Sequence, residues 1–230
     1  AYQGSCQATL AYWNMAKPGG MLDKREFAPN GVRLLFTIVL PPYQVITRKP
    51  FASLKDMEGM KIRASGSAKE LLLKKLKAVP VLMPTPEVYE SLSRGTIDGV
   101  LFPFNSLAPY EIDKLSKTGT IGSNFGSFVA NWVISEKRFQ SLPPAVQQDL
   151  TAMGEEFTKA VCKRVEQDEA GDIEKTKTAG VKLTPLSKDD QAALERAAAE
   201  VAAEWGQNLD RRGKSGTEVL NAFKAGLGLK

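Results

Sequence analysis

Arg63 is the residue whose type and setting most invite chemistry. It closes the short stretch Met60-Lys61-Ile62-Arg63-Ala64 and is followed by polar Ser65-Gly66-Ser67. A guanidinium presents paired donors in one plane, the geometry that a carboxylate accepts as a bidentate, charge-assisted grip. Taken alone, an arginine after a short strand is more often a solvated or surface-paired residue. Little else in the chain could react. Histidine is absent, which removes His triads, His general bases and His metal ligands together. Cys6 and Cys162 are too few and too far apart for a cysteine-only zinc site. They fit either two unrelated buried thiols or, in an oxidising compartment, a disulfide tying the N-terminal segment to a C-terminal helix. Glu87 and Glu90 share a helix, but no nucleophile or metal cluster stands near them. No catalytic residue, metal site or cofactor is therefore predicted, and the chain is not read as an enzyme.

The elements that must position Arg63 follow from pattern. Lys55-Asp56-Met57-Glu58-Gly59 reads as a helical turn stopped by glycine, and Met60 to Ala64 as a strand. Ser67 is placed to cap a helix from Ala68 to Lys77. A strand at Pro80–Met83, a helix at Glu87–Arg94 and a strand at Gly99–Phe102 complete a β-α-β-α-β pattern. That pattern implies a largely parallel, buried sheet. In Asp98-Gly99 the glycine permits close backbone approach and the acid makes a local hydrogen bond. Upstream, residues 1–17 are predicted helical, Val32–Leu40 suits a buried parallel strand, and Tyr43–Thr47 is extended. Downstream, Phe125–Ser135 reads as one long strand, and Pro143-Pro144 opens a helix reaching about Thr178. Gln147, Leu150, Met153, Phe157, Val161 and Val165 recur there at helical spacing, a packing face. A short strand at Val181–Leu183, a helix capped by Ser187 and a last helix from Gly216 to Ala225 close the chain.

The 230 residues are 43% apolar, enough for one or two cored domains. Net charge is +5, but basic and acidic residues interleave and no basic cluster carries aromatics. Nucleic acid is accordingly not a predicted partner, whereas mild positive potential steers carboxylates. No stretch approaches the roughly 18–20 apolar residues of a membrane span. The first residues, Ala1-Tyr2-Gln3-Gly4, do not read as a signal peptide, so the chain is either trimmed or never exported.

Two spaced segments carry a family resemblance. Ser53-Leu54-Lys55-Asp56-Met57-Glu58-Gly59-Met60-Lys61-Ile62-Arg63 follows "sxxDMxGxKIR", and Pro84 to Pro103 follows "PxPxxEVYxxLxxGxxDGxxxP". Together they resemble the periplasmic solute-binding proteins of tripartite ATP-independent periplasmic (TRAP) transporters, the DctP type. The resemblance implies an α/β, bilobal, periplasmic-binding-protein-like (type II) fold with a lobe-crossing strand and long C-terminal helices. It divides the chain into 1–42, the remainder of an N-terminal lobe; 43–125, a C-terminal α/β lobe; and 126–230, the crossing strand and C-terminal helices. Roughly the first quarter of the family's length is expected to be missing. The implied function is capture of an organic acid in the periplasm by a monomer and its delivery to TRAP membrane subunits. In the family the arginine of "KIR" grips the ligand's acid group, and Arg63 matches it. Asn124 matches a pocket asparagine. Tyr43 stands where some sialic-acid binders carry a second arginine, and Phe102 where many members have asparagine. Thr85 and Phe125 complete the predicted ligand-binding set. Phe104, Phe128 and Trp132 are weaker candidates for the same cleft. Exchanging polar groups for rings at two positions favours a flat aromatic or apolar acid over a polyhydroxylated sugar. Two other readings remain: a ligand-sensing domain of a signalling protein, and a transferase on a similar bilobal fold.

Overall fold

The structure is a computed structural model and describes residues 4–229; positions 1–3 of the first predicted helix lie outside the described residues. The chain forms two compact units. The first comprises Pro41–Ser127 and Asp168–Gln207. Its sheet uses β2 (Gln44–Thr47), β3 (Lys61–Ala64), β4 (Val79–Leu82), β5 (Gly99–Phe102), β6 (Thr118–Thr120) and β8 (Lys182–Thr184). The spatial order is β4-β3-β5-β2-β6-β8. Helices α2 (Ser67–Lys75) and α3 (Val88–Ser93) are the crossovers that make β3 parallel to β4 and β5. The expectation of a largely parallel sheet needs correction at β2, which is antiparallel to both β5 and β6. It enters through Pro41-Pro42 with no crossover helix before it, so nothing forces it to run with the others.

The core beneath this sheet gathers Ile46, Val88, Leu92, Ile97, Val100, Phe102, Phe104, Leu107 and Ile112. Gly99 lets β5 close on β2, since a Cβ there would lie 2.7 Å from the Ile46 carbonyl oxygen. Asp98, next to it, accepts from the Lys61 amide at 2.9 Å and pairs with Lys49 at 2.8 Å. The structural reading of Asp98-Gly99 holds. Ser67 is not the cap of α2: it is the first helical residue, and Gly66 occupies the cap position at φ 84°. The short helix α4 (Ile112–Leu115) and the helix α7 (Lys188–Asp210) complete the elements begun in this unit.

The second unit comprises the described residues of 2–40, 128–167 and 208–230. Here β1 (Val32–Val39) pairs antiparallel with β7 (Val129–Ser135) in a two-stranded ladder, with a register shift between Leu34 and Phe36. This corrects two expectations. Residues 32–40 are not a buried parallel strand, and the downstream strand begins at Val129, not Phe125. Gly126, at φ 101°, turns the chain before the ladder can start. Helix α1 (Ser5–Ala16) packs on β1, and α8 (Gly216–Gly226) packs on α1. Arg33 links β1 to α5 (Glu136–Gln140) through a two-pronged pair with Glu136, at 2.8 and 3.0 Å.

Cys6 in α1 and Cys162 in α6 (Pro144–Thr178) form a disulfide, with Cα atoms 4.9 Å apart. Of the two readings left open for these cysteines, the cross-link is the one found. The expected packing stripe of α6 is displaced by about one residue. Met153 is 62% and Phe157 47% exposed, while Gly154, Thr158 and Cys162 are buried. The reason is close approach: a Cβ at Gly154 would lie 2.1 Å from the Leu35 carbonyl oxygen. The helix presents its small residues to β1 and leaves its large ones outside. No helix among the described residues is long and apolar enough to cross a membrane.

Candidate functional site

The reversal of β2 assembles the site. Parallel β3 and β5 end on the same side of the sheet, and antiparallel β2 begins there, with Gln44 paired to Phe102. Tyr43, Arg63 and Phe102 therefore converge although they lie in three separate segments. All three are buried, Arg63 being only 2% exposed.

Arg63 donates from Nε and Nη2 to the Met83 carbonyl, both at 3.2 Å, and from Nη2 to Thr85 Oγ1 at 3.1 Å. Thr85 stands in the short 3-10 turn Thr85–Glu87, directly after β4. The guanidinium carbon lies 4.8 Å from the centre of the Phe102 ring, close enough for cation–π attraction. Nη1 is buried and has no hydrogen-bond partner. Burial pulls the Arg63 pKa below its ordinary value, with Tyr43 and Tyr110 pulling the other way. A buried donor left unmet costs about 1–3 kcal/mol, and more on a charged group. A carboxylate oxygen at Nη1 would satisfy it with charge assistance.

The surroundings are aromatic. Phe102 stacks on Tyr110 with planes 4° apart and centroids at 6.0 Å, and Tyr43 tilts against Phe102 at 6.4 Å. Burial pushes the Tyr43 phenol up to about 12, against the opposing pulls of Arg63 and a hydrogen bond with Ser65. The tyrosine hence stays a neutral hydrogen-bonding group at ordinary pH. Lys69, 8% exposed in α2, donates to the Ser127 carbonyl at 2.6 Å and sits 4.9 Å above the Tyr43 ring. Burial, reinforced by Arg63, pushes its pKa down to about 8.

Asn124 and Phe125 join the cluster through the backbone. Tyr43 and the 124–126 turn exchange two main-chain bonds: Tyr43 N donates to Gly126 O at 2.8 Å, and Phe125 N to Tyr43 O at 3.1 Å. Asn124 Oδ1 accepts from the Gly126 amide at 2.9 Å, fixing the turn. The Phe125 side chain is 0% exposed and acts as packing. Phe104 lies in the core of the same unit. Phe128 and Trp132 belong to the other unit and are 48% and 45% exposed.

Sequence reasoning missed Tyr110 and Lys69. Tyr110 lies in a loop with no motif around it, and Lys69 looks like any lysine on a helix. Only the Gly66 turn, which sends α2 back over β2's entrance, gives Lys69 its place. The Glu87/Glu90 pair stays ordinary, with Glu90 paired to Arg94 at 3.1 Å. No group of acidic, cysteine or histidine residues suited to hold a metal ion occurs among the described residues.

The chain resembles known proteins in sequence and in fold. The family model described as bacterial extracellular solute-binding protein, family 7 (DctP) matches residues 24–208. The C4-dicarboxylate-binding periplasmic protein DctP of Rhodobacter capsulatus is 25% identical over 178 residues, 76% of this chain and 51% of that protein. A TRAP solute-binding protein from Rhodoferax ferrireducens T118, in complex with copurified benzoate, superposes with a TM-score of 0.87 at 19% identity. The match covers 99% of this chain and 71% of that one. A TRAP periplasmic solute-binding protein from Bordetella bronchiseptica, with bound (R)- and (S)-mandelate, gives 0.84 at 24% identity, covering 99% and 72%. These likenesses establish the α/β fold. The chain spans about half the length of the curated relatives it matches.

Proposed function

Since the chain belongs to the bacterial extracellular solute-binding proteins of family 7, we propose that it captures an organic acid in the periplasm and delivers it to the membrane subunits of a TRAP transporter. It binds without converting its ligand and works as a monomer. The ligand is a carboxylate on a flat aromatic or apolar body. The single observation behind this reading is the Arg63 guanidinium, buried against Phe102 with Nη1 unmet. Arg63 holds the carboxylate, and Thr85 braces the guanidinium. Tyr43, Phe102 and Tyr110 exclude water and face the ligand body. Asn124 and Phe125 hold the turn on which Tyr43 is seated. The benzoate and mandelate in the structural relatives are ligands of the same chemical class.

The test is calorimetric titration of benzoate, mandelate and a sugar acid into wild type, Arg63→Ala and Arg63→Lys. Aryl acids bind wild type and lose at least a hundredfold in affinity in Arg63→Ala, while the sugar acid does not bind. Arg63→Lys retains the charge but not the planar fork, and recovers only part of the loss. Binding also weakens below pH of about 4, where the ligand's carboxyl protonates while the arginine stays charged. Aryl acids that bind Arg63→Ala as tightly as wild type sink the assignment.

A further inference from the structure

Lys69 lies in the same cluster as Arg63, and the bond it makes there does not account for its charge. The residue stands in the first turn of α2 and is buried. Its stem packs on the 124–127 turn, where a Cβ at Gly126 would lie 3.3 Å from Lys69 Cγ, and Nζ donates to the Ser127 carbonyl at 2.6 Å. That bond pins the turn to the helix. A neutral amide side chain would make the same bond at less cost, because burying an ammonium takes a charge out of water. Arg63 adds to the cost: with burial, it is what draws the Lys69 pKa down to about 8. Two cations therefore stand within electrostatic reach of each other in one buried cluster.

The rings set how the cations are disposed. The Arg63 guanidinium carbon lies 4.8 Å from the Phe102 ring centre and Lys69 Nζ lies 4.9 Å from the Tyr43 ring centre. The two rings tilt against each other at 6.4 Å, so each cation faces one ring of a contacting pair. Around Lys69, Arg63 on β3 carries the same charge, and Tyr43 at the entrance to β2 is a neutral phenol. Tyr110, the phenol of the loop, acts on Tyr43 and Arg63. The 124–127 turn, Asn-Phe-Gly-Ser, holds no titratable side chain. Glu70, next along α2, pairs with Lys74 at 2.6 Å. A single carboxylate on Arg63 offsets one of the two charges and leaves the ammonium for another.

We propose that Lys69 reads a second anionic group on the ligand, carried by the aromatic body away from the carboxylate that Arg63 holds. This rests on the organic-acid reading above and narrows it to doubly anionic aryl acids. It also ties capture to a proton. An anion bound beside Lys69 favours the ammonium, so binding draws a proton from solvent onto Nζ wherever free Lys69 is partly neutral. Affinity for a dianion accordingly falls as pH rises through about 8, while the guanidinium stays charged throughout.

The probes are benzoate and its 3- and 4-sulfonates, which share ring and carboxylate and add one group that stays ionised. Calorimetry at pH 7 and pH 9 gives the affinity of the tighter sulfonate relative to benzoate. In wild type that preference is at least about tenfold at pH 7 and shrinks by about tenfold at pH 9. Titrations at pH 8 in two buffers of different ionisation enthalpy show proton uptake with the sulfonate. Lys69→Arg, charged at both pH values, keeps the preference and loses its pH dependence. Lys69→Met loses both. A residue that only pinned the turn would move all the affinities alike and leave their ratio as it was. Benzoate binding with no preference for either sulfonate, or a preference equal at pH 7 and pH 9, overturns this proposal and leaves the organic-acid reading standing. Wild type alone decides that, whether or not Lys69→Met folds. If none of the three acids binds wild type, both fall.

Discussion

Cutting the link between Cys6 and Cys162 offers a sharp test of how the second unit is held. The perturbation is the double variant Cys6→Ser/Cys162→Ser, which keeps side-chain size close to constant. The two cysteines are 156 positions apart, and closing a loop of that length in the unfolded chain is worth about 5 kcal/mol on the chain-entropy model. Residual structure in the unfolded state and the relaxation available to free α1 lower this, and about 3 kcal/mol is the working figure. At roughly 2–4 °C per kcal/mol for a chain of this size, the melting temperature falls by on the order of 10 °C. The loss is local, because both cysteines lie in the second unit. Trp13 and Trp132 report on that unit and Trp205 on the first. Single-tryptophan melts should therefore show Trp13 and Trp132 shifting earlier, with Trp205 following only in part. Hydrogen exchange should show the Thr37 and Val39 amides losing protection, since Thr9 and Thr158 sit beside the cross-linked residues. A double variant that melts within 2 °C of wild type refutes the reasoning.

Lys69 has a folded pKa near 8, below its ordinary 10.5. The unfolded chain therefore holds more protons between those values, and stability rises with pH across that window; melts at constant ionic strength should show the rise in wild type and not in Lys69→Met. Gly99→Ala places a methyl group 2.7 Å from both the Ile46 carbonyl oxygen and Thr47 Cγ2. Denaturant titration should record a loss of about 1–3 kcal/mol, and an unchanged midpoint counts against the close β2–β5 approach. Phe102→Asn removes the cation–π and stacking partner of Arg63 and Tyr110, each worth about 1–2 kcal/mol. Affinity for benzoate should drop at least tenfold relative to that for a hydroxylated acid, as read by competition calorimetry.

Part of the site was open to reading because it is encoded locally. Arg63 sits in a short motif whose strand, turn and helix are each signalled by neighbouring residues, and Phe102 and Thr85 are placed by the same run of glycines and prolines. Tyr43 needed the strand after Pro41-Pro42, which sequence showed as extended but not as reversed. Strand direction is a tertiary outcome: it depends on which edge of the sheet is left free, and residues 43–47 carry no record of that. Tyr110 and Lys69 were invisible for the same reason. The error on α6 has a different origin. Helical periodicity identifies a face of large apolar residues, and here the contact face is made of Gly154, Thr158 and Cys162. Small residues let the helix backbone approach Leu35, and they leave no hydrophobic signature.

The hydroxyls of Ser5, Thr9 and Thr158 carry a consequence for how this sheet tolerates change. They terminate β1 as a saturated surface would, so the boundary of the ladder is written in α1 and α6 and not in the strand. Replacing Thr158 by valine would strip the Thr37 amide of its acceptor in a place where both residues are 0% exposed, so the helix would still cover this margin and the buried donor would go unmet. The sheet would lose stability there without any substitution in a strand.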